Sequence, residues 1–139
     1  MSDQILGRLQ AFYEGLVKGD LSPGDALFDY DHLVMREPAG LPYGGEFHGR
    51  EGLQRAIGAI AGTWTRIRFT DLRYAMGDDM AVVNFTMHGI SRTTEGVLAM
   101  PVCEVWTFRD GRAVEVSPYY WDTHEVRRIL RLDVQRSEI

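Results

Sequence analysis

The sequence predicts an α+β domain in which a curved, mainly antiparallel sheet wraps as a cone around N-terminal helices and encloses a pocket. The first half of the chain carries apolar residues at helical spacing, whereas β-branched and aromatic residues dominate from Thr65 onward. Three turn sequences of hairpin length divide the second half into four strands. A chain of 139 residues is long enough for a single core, so we expect one domain over residues 1–139.

Three helices are predicted in the first half of the chain. The first covers about residues 3–18, because apolar residues recur every three or four positions and Gly19 follows as a stop. Ser22 and Pro23 can begin a short second helix, since proline suits the first helical position. The third helix, over residues 50–63, carries one apolar stripe: Leu53, Ile57 and Ile60.

A short strand is predicted over residues 32–37, where Pro38 ends it. Proline favours extended geometry in the residue before it, so Glu37 lies at a strand end where its side chain can face a cavity. Residues 38–49 hold two prolines and four glycines and are predicted to be a loop. The remaining predicted elements are strands over about 66–76, 80–92, 97–109 and 112–121, followed by a short helix over 123–132.

Composition excludes several classes of function. A net charge of −5 has the wrong sign for a protein that neutralises nucleic-acid phosphates, and no apolar run approaches the ~18 residues of a membrane span. The single cysteine, Cys103, cannot form an internal disulfide, and the first ten residues lack the pattern of a signal peptide, so we expect a cytoplasmic protein. Neither HxH nor HExxH spacing occurs among the histidines, so no metal site is expected: His32, His48, His88 and His124.

The strand predicted over residues 97–109 contains the most informative acidic residue. Glu104 interrupts an otherwise bulky apolar face made by the even-numbered positions: Leu98, Met100, Val102, Trp106 and Phe108. A buried carboxyl there is either protonated with a raised pKa or held by a donor, and both states suit catalysis. The alternatives are that this face is solvated or that Glu104 belongs to a structural ion pair.

Glu37 and Asp122 are two further candidate carboxyl groups. A charged residue at a strand end, such as Glu37, is more often solvated than functional. Asp122 shares one strand face with Val116 and Tyr120, so it can look into the mouth of a pocket. The same residue also precedes the last predicted helix, where aspartate is a favoured N-cap, and the pattern leaves both roles open.

Other side chains are weaker candidates for contacts with a ligand. Asn84, Thr86 and His88 share one strand face and could line a pocket, although a solvent-facing row fits the same alternation. Tyr43 in the long loop and Trp64 after the third helix lie where aromatic residues often line pockets, and both could equally be core.

Three stretches of the sequence resemble the nuclear-transport-factor-2-like superfamily, within it the SnoaL-like and ketosteroid-isomerase-like small proteins. They are AFYEGLVKGD, REPAGLPYGGEFHGREGL and EVWTFRDGRAVEVSPYYWDT, and the resemblance extends over roughly residues 5–130. It implies a cone-shaped sheet around helices, a deep pocket for a small apolar ligand, and a homodimer formed through the sheet.

The resemblance also implies roles for individual residues. Glu37 with Pro38 matches the Asp-Pro pair that supplies the proton-shuttling base of ketosteroid isomerases. Glu104 matches the buried, protonated acid that donates a hydrogen bond to the dienolate oxygen. Tyr120 matches an aromatic residue that lines the pocket, and Asp122 lies near the C-terminal acid that SnoaL-like cyclases use for proton transfer.

The sequence departs from the isomerase pattern at several positions. The family's oxyanion tyrosine aligns with Phe12, and Tyr13 lies one residue, about 100°, further around the helix. A supporting tyrosine is replaced by Ile57, and the loop after Pro38 is longer by residues 41–45. Both acidic positions carry glutamate, and a displacement of about 1 Å can cost ~10²-fold in rate. These departures argue against steroid isomerisation, and Phe12 and Tyr13 are retained as expected ligand contacts.

Two hypotheses follow for function. The first is an enzyme without a cofactor that isomerises, cyclises or dehydrates an apolar ring compound through an enolate-like intermediate, with Glu37 or Asp122 as base and Glu104 as donor. A hydrolytic variant would need a further donor, and alternation points Arg36 away from Glu37. The second hypothesis is a non-catalytic binding or interaction module. Convergence of Glu37 and Glu104 on one cavity distinguishes these two hypotheses. The expected homodimer would be favoured by an exposed apolar sheet face, which Val83, Phe85 and Met87 would form if Asn84 and Thr86 face inward.

Overall fold

The structure is a computed structural model that describes residues 2–132. Within this range the chain forms an α+β fold of N-terminal helices and a curved, open, mostly antiparallel sheet, which confirms the predicted class. The elements in chain order are α1 (Ser2–Lys18), α2 (Gly24–Leu27), β1 (Val34–Glu37), β2 (Gly45–His48), α3 (Gly49–Thr63), β3 (Trp64–Met76), β4 (Met80–Ser91), β5 (Val97–Arg109), β6 (Arg112–Tyr120) and α4 (Thr123–Ile129). No helix of the described range is long and apolar enough to cross a membrane.

The six strands of residues 2–132 form one sheet in the order β2-β1-β6-β5-β4-β3. Strands β3 to β6 are consecutive antiparallel neighbours, as their hairpin turns predict. Strand β1 pairs with β6 in parallel, Val34 opposite Glu115 and Met35 opposite Val116. This pairing brings the end of β1, and with it Glu37, beside the strands that carry the other candidate carboxyl groups.

Strand β2 corrects the prediction that residues 38–49 form a loop throughout. Residues Gly45–His48 pair antiparallel with β1, Val34 opposite His48 and Glu37 opposite Gly45. Gly45 has φ +131°, a backbone conformation that glycine adopts without strain. The local sequence is a poor strand former, so the hydrogen bonds to β1 stabilise an element that a single-sequence pattern does not reveal.

Alternating burial shows which face of the sheet contacts the helices. On β4 the buried residues are Ala81, Val83, Phe85 and Met87, and on β5 they are Leu98, Met100, Val102, Trp106 and Phe108. The even-numbered face of β5 is therefore the inner one. The suggestion that Val83, Phe85 and Met87 form an exposed apolar face is wrong, because the intervening Asn84, Thr86 and His88 lie on the outer face instead.

Two irregularities in β3 curve the sheet over α1. Its register with β4 shifts within residues 65–68 and again within 70–73, and Arg66 and Asp71 have positive φ values of 55° and 57° at these places. Such bulges bend a strand and increase its twist. The concave face that results receives α1 and α3, and the space left between the sheet and these helices is the candidate site.

Candidate active site

A cavity of about 350 Å³ lies between the concave face of the sheet and helices α1 and α3. Its walls are mainly aliphatic and aromatic side chains, a composition and size typical of sites for small apolar ligands. Four lining residues are solvent-exposed and mark the opening: Val17, Ala61, Arg66 and Arg92. Two carboxyl groups, Glu37 and Glu104, are the acidic members of the lining.

Glu37 ends β1 and is only 5% exposed. Pro38 follows it, and the strand geometry that proline favours directs the side chain into the cavity. Its Oε1 atom is buried and has no hydrogen-bond partner among residues 2–132. Burial raises the pKa of Glu37 from 4.5 to about 8, and the nearby Glu104 carboxyl adds to the rise. Glu37 is therefore largely protonated at neutral pH.

Glu104 lies in the middle of β5, on the inner face between Val102 and Trp106. Its Oε1 atom is hydrogen-bonded to the hydroxyl of Tyr13 from α1, and that hydroxyl accepts a bond of 3.1 Å from Trp106 Nε1. Burial raises the pKa of Glu104 from 4.5 to about 7, while the bond from Tyr13 lowers it in part. The carboxyl group thus changes charge near neutral pH.

The two carboxyl groups share one cavity, which confirms the expected convergence of Glu37 and Glu104. Neither forms an ion pair with an arginine of the described range, including Arg36, whose partners are Glu46 and Glu115. Like charges in a mostly apolar cavity disfavour double ionisation, so the pair carries about one proton at neutral pH. Such a pair offers a base and an acid at the same time.

A second chain of hydrogen bonds supports the wall next to Glu37. Trp64 Nε1 donates to Tyr43 Oη at 3.1 Å, the Tyr43 and Tyr120 hydroxyl oxygens are 3.0 Å apart, and Tyr120 Oη reaches Met87 Sδ at 3.6 Å. Tyr43 comes from the extended loop after β1 and is buried. The loop after Pro38 therefore supplies Tyr43, whose hydroxyl connects Trp64, the C-cap residue of α3, to Tyr120 of β6.

The structure brings most of the predicted ligand contacts to this cavity. Five of them line it: Phe12, Trp64, Val102, Val116 and Tyr120. Tyr13 and Tyr43 lie behind the lining, where each hydroxyl bonds a lining residue. Met100 is buried on the same face of the sheet but does not belong to the lining.

Two predicted residues lie away from the cavity. Asp122 is exposed and caps α4, its Oδ1 accepting from the Glu125 backbone N–H at 3.1 Å, so the N-cap alternative is the one the structure shows. His88 projects from the outer face of β4, where its Nε2 lies 2.8 Å from the Thr70 hydroxyl. The alternation of β4 explains the error for His88, since one residue of register decides the face.

Several lining residues were not predicted as site residues. Ile57 and Ile60 belong to the apolar stripe of α3, which faces the cavity. Phe85 and Met87 alternate with polar residues on β4, and the alternation alone left open which of the two faces is the inner one. Trp106 shares the face of Glu104, and this proximity in the sequence was a usable signal for its part in the site.

Solved structures with this architecture define the class of fold as NTF2-like. A protein of this type from Burkholderia pseudomallei, of unknown function, is 24% identical, with 89% of this chain and 95% of that chain covered and a TM-score of 0.80. A putative polyketide cyclase from Xanthomonas campestris is 19% identical over 92% and 98% of the two chains, with a TM-score of 0.73. At these identities the likeness shows the fold alone.

A third solved structure and a match to a protein family narrow the class of protein. A hypothetical protein from Catenulispora acidiphila with a ketosteroid isomerase-like fold, in complex with trimethylamine, is 16% identical over 81% and 84% of the chains, with a TM-score of 0.67. The model of the SnoaL-like domain matches residues 9–116, and the chain belongs to this family. No curated protein matches the sequence. The fold it shares includes polyketide cyclase-like and ketosteroid isomerase-like members.

Proposed function

We propose that this protein is an enzyme that uses carboxyl acid/base chemistry on a small, apolar, ring-bearing substrate. The observation that carries the proposal is the pair Glu37 and Glu104, two carboxyl groups in one apolar cavity with pKa values raised to about 8 and about 7. Strongly perturbed carboxyl groups in a cleft are enriched at catalytic sites. Groups whose pKa lies near the operating pH are also the most effective proton carriers.

The singly protonated pair can drive isomerisation, cyclisation or dehydration through an enolate-like intermediate. The ionised carboxyl removes a proton from carbon next to a carbonyl group, while the protonated carboxyl donates a hydrogen bond to the carbonyl oxygen as negative charge develops there. Each contribution is substantial, about 10²–10⁴-fold for a positioned general base and about 10²–10³-fold for one oxyanion donor. These two carboxyl groups are sufficient for the proposed proton transfers.

Details of the site favour a carbon acid other than a steroid. Phe12 occupies the lining at the position of the isomerase family's oxyanion tyrosine, and Tyr13 directs its hydroxyl to Glu104. The hydroxyl of Tyr120 is engaged with Tyr43 and Met87. The substrate oxygen is therefore served by a carboxyl group, which supports a re-tuned site within the same fold.

The proposal is tested by ultraviolet titration of a panel of naphthols bound to the wild-type protein. A bound naphtholate mimics an enolate, so a preorganised site shifts the pKa of the bound naphthol away from its value in water. The substitutions Glu104→Gln and Glu37→Gln should each change that shift. Asp122→Asn is the matched control, because Asp122 is an exposed capping residue and its substitution should leave the shift unchanged.

Two results would favour the alternative, a non-catalytic pocket or interaction module. One is the absence of naphthol binding. The other is binding that responds to neither glutamate substitution, because an apolar cavity alone then explains the affinity. Fold by itself does not distinguish the enzyme from this module.

We also propose that the protein forms a homodimer through the outer face of the sheet, as the resemblance implies. Tyr119 and Trp121 are 60% and 83% exposed at the end of β6. They line a shallow groove on the outer face together with Asn84 and Thr86. Large exposed aromatic side chains beside polar groups are typical of protein interfaces.

A further inference from the structure

We infer that Glu104 is the ionised base and Glu37 the proton donor of the resting site, and that Tyr13 and Trp106 are positioning residues that impose this division. The inference rests on the proposed function. It reverses the roles that the resemblance implies, in which the residue before the proline is the base and the buried acid on β5 is the donor. The direction of the hydrogen bonds around each carboxyl group carries the inference.

The chain of donors that ends at Glu104 has only one consistent direction. An indole N–H can donate and cannot accept, so Trp106 donates to the Tyr13 oxygen. Glu104 Oε1 is the acceptor within reach of the Tyr13 hydroxyl among the described residues, and Tyr13 itself is buried. Tyr13 therefore donates its proton to Glu104. A hydrogen bond donated to a carboxyl oxygen stabilises the ionised form.

Glu37 has the opposite surroundings. No hydrogen bond to its side chain occurs in the described range, and its Oε1 atom is buried without a partner. A carboxylate buried without donors is strongly disfavoured, whereas the neutral acid keeps an O–H that it can offer to a ligand. The unsatisfied oxygen and its lining position together point to a ligand group that completes the bonding of Glu37.

The other titratable groups near the pair stay neutral and do not overturn this division. Burial raises the pKa of Tyr43 to about 12 and holds those of Tyr13 and Tyr120 well above the ordinary value. The cationic residues of the lining, Arg66 and Arg92, are solvent-exposed at the opening. Among the described residues that line the cavity, the ionised carboxyl group is therefore either Glu37 or Glu104.

This division fixes how a substrate is oriented in the cavity. The carbon that loses its proton faces Glu104, and the carbonyl oxygen faces Glu37. Glu104 takes the carbon-bound proton as the electron pair of that C–H bond forms the enol double bond, and Glu37 gives its proton to the oxygen. Glu104 then returns a proton to a different carbon, and the O–H proton of the enol returns to Glu37. These two transfers complete an isomerisation and restore both residues.

Infrared spectroscopy of the ligand-free protein tests the division, because a protonated carboxyl has its own C=O stretching band. The spectra are recorded at a pH between the values of about 7 for Glu104 and about 8 for Glu37. We expect a carboxylic-acid band that loses more than half of its intensity in Glu37→Gln and keeps most of it in Glu104→Gln. Loss of the band in Glu104→Gln with retention in Glu37→Gln would overturn the inference, as would the absence of a band in the wild type.

A tyrosine substitution tests the positioning role. In the double variant Tyr13→Phe with Glu37→Gln, Glu104 loses its donor and its pKa rises, so the band should regain intensity at the same pH. Tyr74→Phe with Glu37→Gln is the matched control. The Tyr74 ring packs edge-on against Tyr13, with 6.1 Å between the ring centroids, so this variant also removes a tyrosine hydroxyl but keeps the donor to Glu104. Equal band intensity in the two double variants would contradict a positioning role for Tyr13.

A second measurement, made on the wild-type protein, tests the same assignment if the substituted proteins fail to fold. Carboxyl-carbon chemical shifts of the wild-type protein labelled with ¹³C-glutamate report the titration of each buried glutamate directly. The shift that titrates at the higher pH should belong to Glu37. Neither experiment uses a ligand, so failure of the naphthol titration would contradict the proposed function and leave the assignment of the two protonation states standing. A wrong infrared or chemical-shift result would contradict that assignment and leave the naphthol result standing.

Discussion

At the residue scale, Glu37 and Glu104 show how the buried carboxyl groups of the proposed site reduce stability. Each has a pKa of 4.5 when it is unperturbed and a higher one in the folded chain. Between these values the folded state binds more protons than the unfolded state, so the free energy of unfolding falls as pH rises. The contribution of the neutral carboxyl groups to the free energy of unfolding is fully present below about pH 4.5. It is lost progressively as the pH rises from there to about 8.

Glu37→Gln should remove the contribution of Glu37 to this pH dependence. We expect the free energy of unfolding of the variant to exceed that of the wild type at pH 8 by an amount on the order of a few kcal/mol, and the difference to shrink toward pH 4. Urea unfolding at a series of pH values measures it. The control is Glu115→Gln, a half-exposed partner of Arg36 whose loss should change stability little, because ion pairs at the surface are weak. Parallel stability curves for the wild type and Glu37→Gln would contradict the prediction.

At the element scale, the short helix α4 shows how a candidate catalytic residue can be a structural one. Asp122 has extended backbone geometry and accepts from the N–H of Glu125 in the first turn of α4. The helix buries Val126 against the sheet, so its stability is coupled to the core. The alternation of β6 and the capping preference of aspartate make opposite predictions for this side chain, and the hydrogen bond at the helix start decides between them.

Asp122→Ala should therefore affect stability and leave ligand binding intact. We expect a loss of about 1 kcal/mol in the free energy of unfolding, because the N-cap hydrogen bond disappears. Denaturant unfolding measures this loss, and Asp122→Asn, which retains a capping oxygen, should recover most of it. A change in naphthol ionisation in the Ala variant at unchanged stability would restore Asp122 as a site residue.

At the scale of the whole molecule, the curvature of the sheet creates both the cavity and an outer surface. Bulges at Arg66 and Asp71 bend β3 over α1, and the concave face encloses the space between Glu37 and Glu104. The convex face leaves Trp121 exposed at the end of β6. The sheet therefore has two unlike faces, an apolar one around the cavity and an outer one that mixes polar and aromatic groups.

The proposed homodimer should depend on the outer face. Sedimentation should show the wild-type protein as a dimer and Trp121→Glu as a monomer, because a charge at a buried interface is unfavourable. The control is Val17→Glu, another exposed apolar position, which lies on α1 away from the outer face of the sheet and should leave the dimer intact. A wild-type monomer independent of concentration would refute the dimer.

Local patterns were sufficient for most of the elements. The strands β3 to β6 are bounded by turn sequences such as Gly77-Asp78-Asp79 and Asp110-Gly111, and these act over a few residues. Strand β2 was not predictable in this way, because its residues pair with β1 and have little strand propensity of their own. The last helix ends at Ile129, earlier than the predicted residue 132, since helix ends depend on final contacts.

The sequence by itself determined the α+β class, the hairpin order of strands β3 to β6 and the apolar strand face that carries Glu104, because helical spacing, turn residues and strand alternation are local signals. Only the tertiary structure decided that Glu37 shares the cavity of Glu104 and that Asp122 does not. It also decided that Tyr13 donates to Glu104 while Glu37 lacks a partner. Those features depend on which side chains meet across α1, β1 and β5, and the pKa of a buried carboxyl is determined by these distant neighbours.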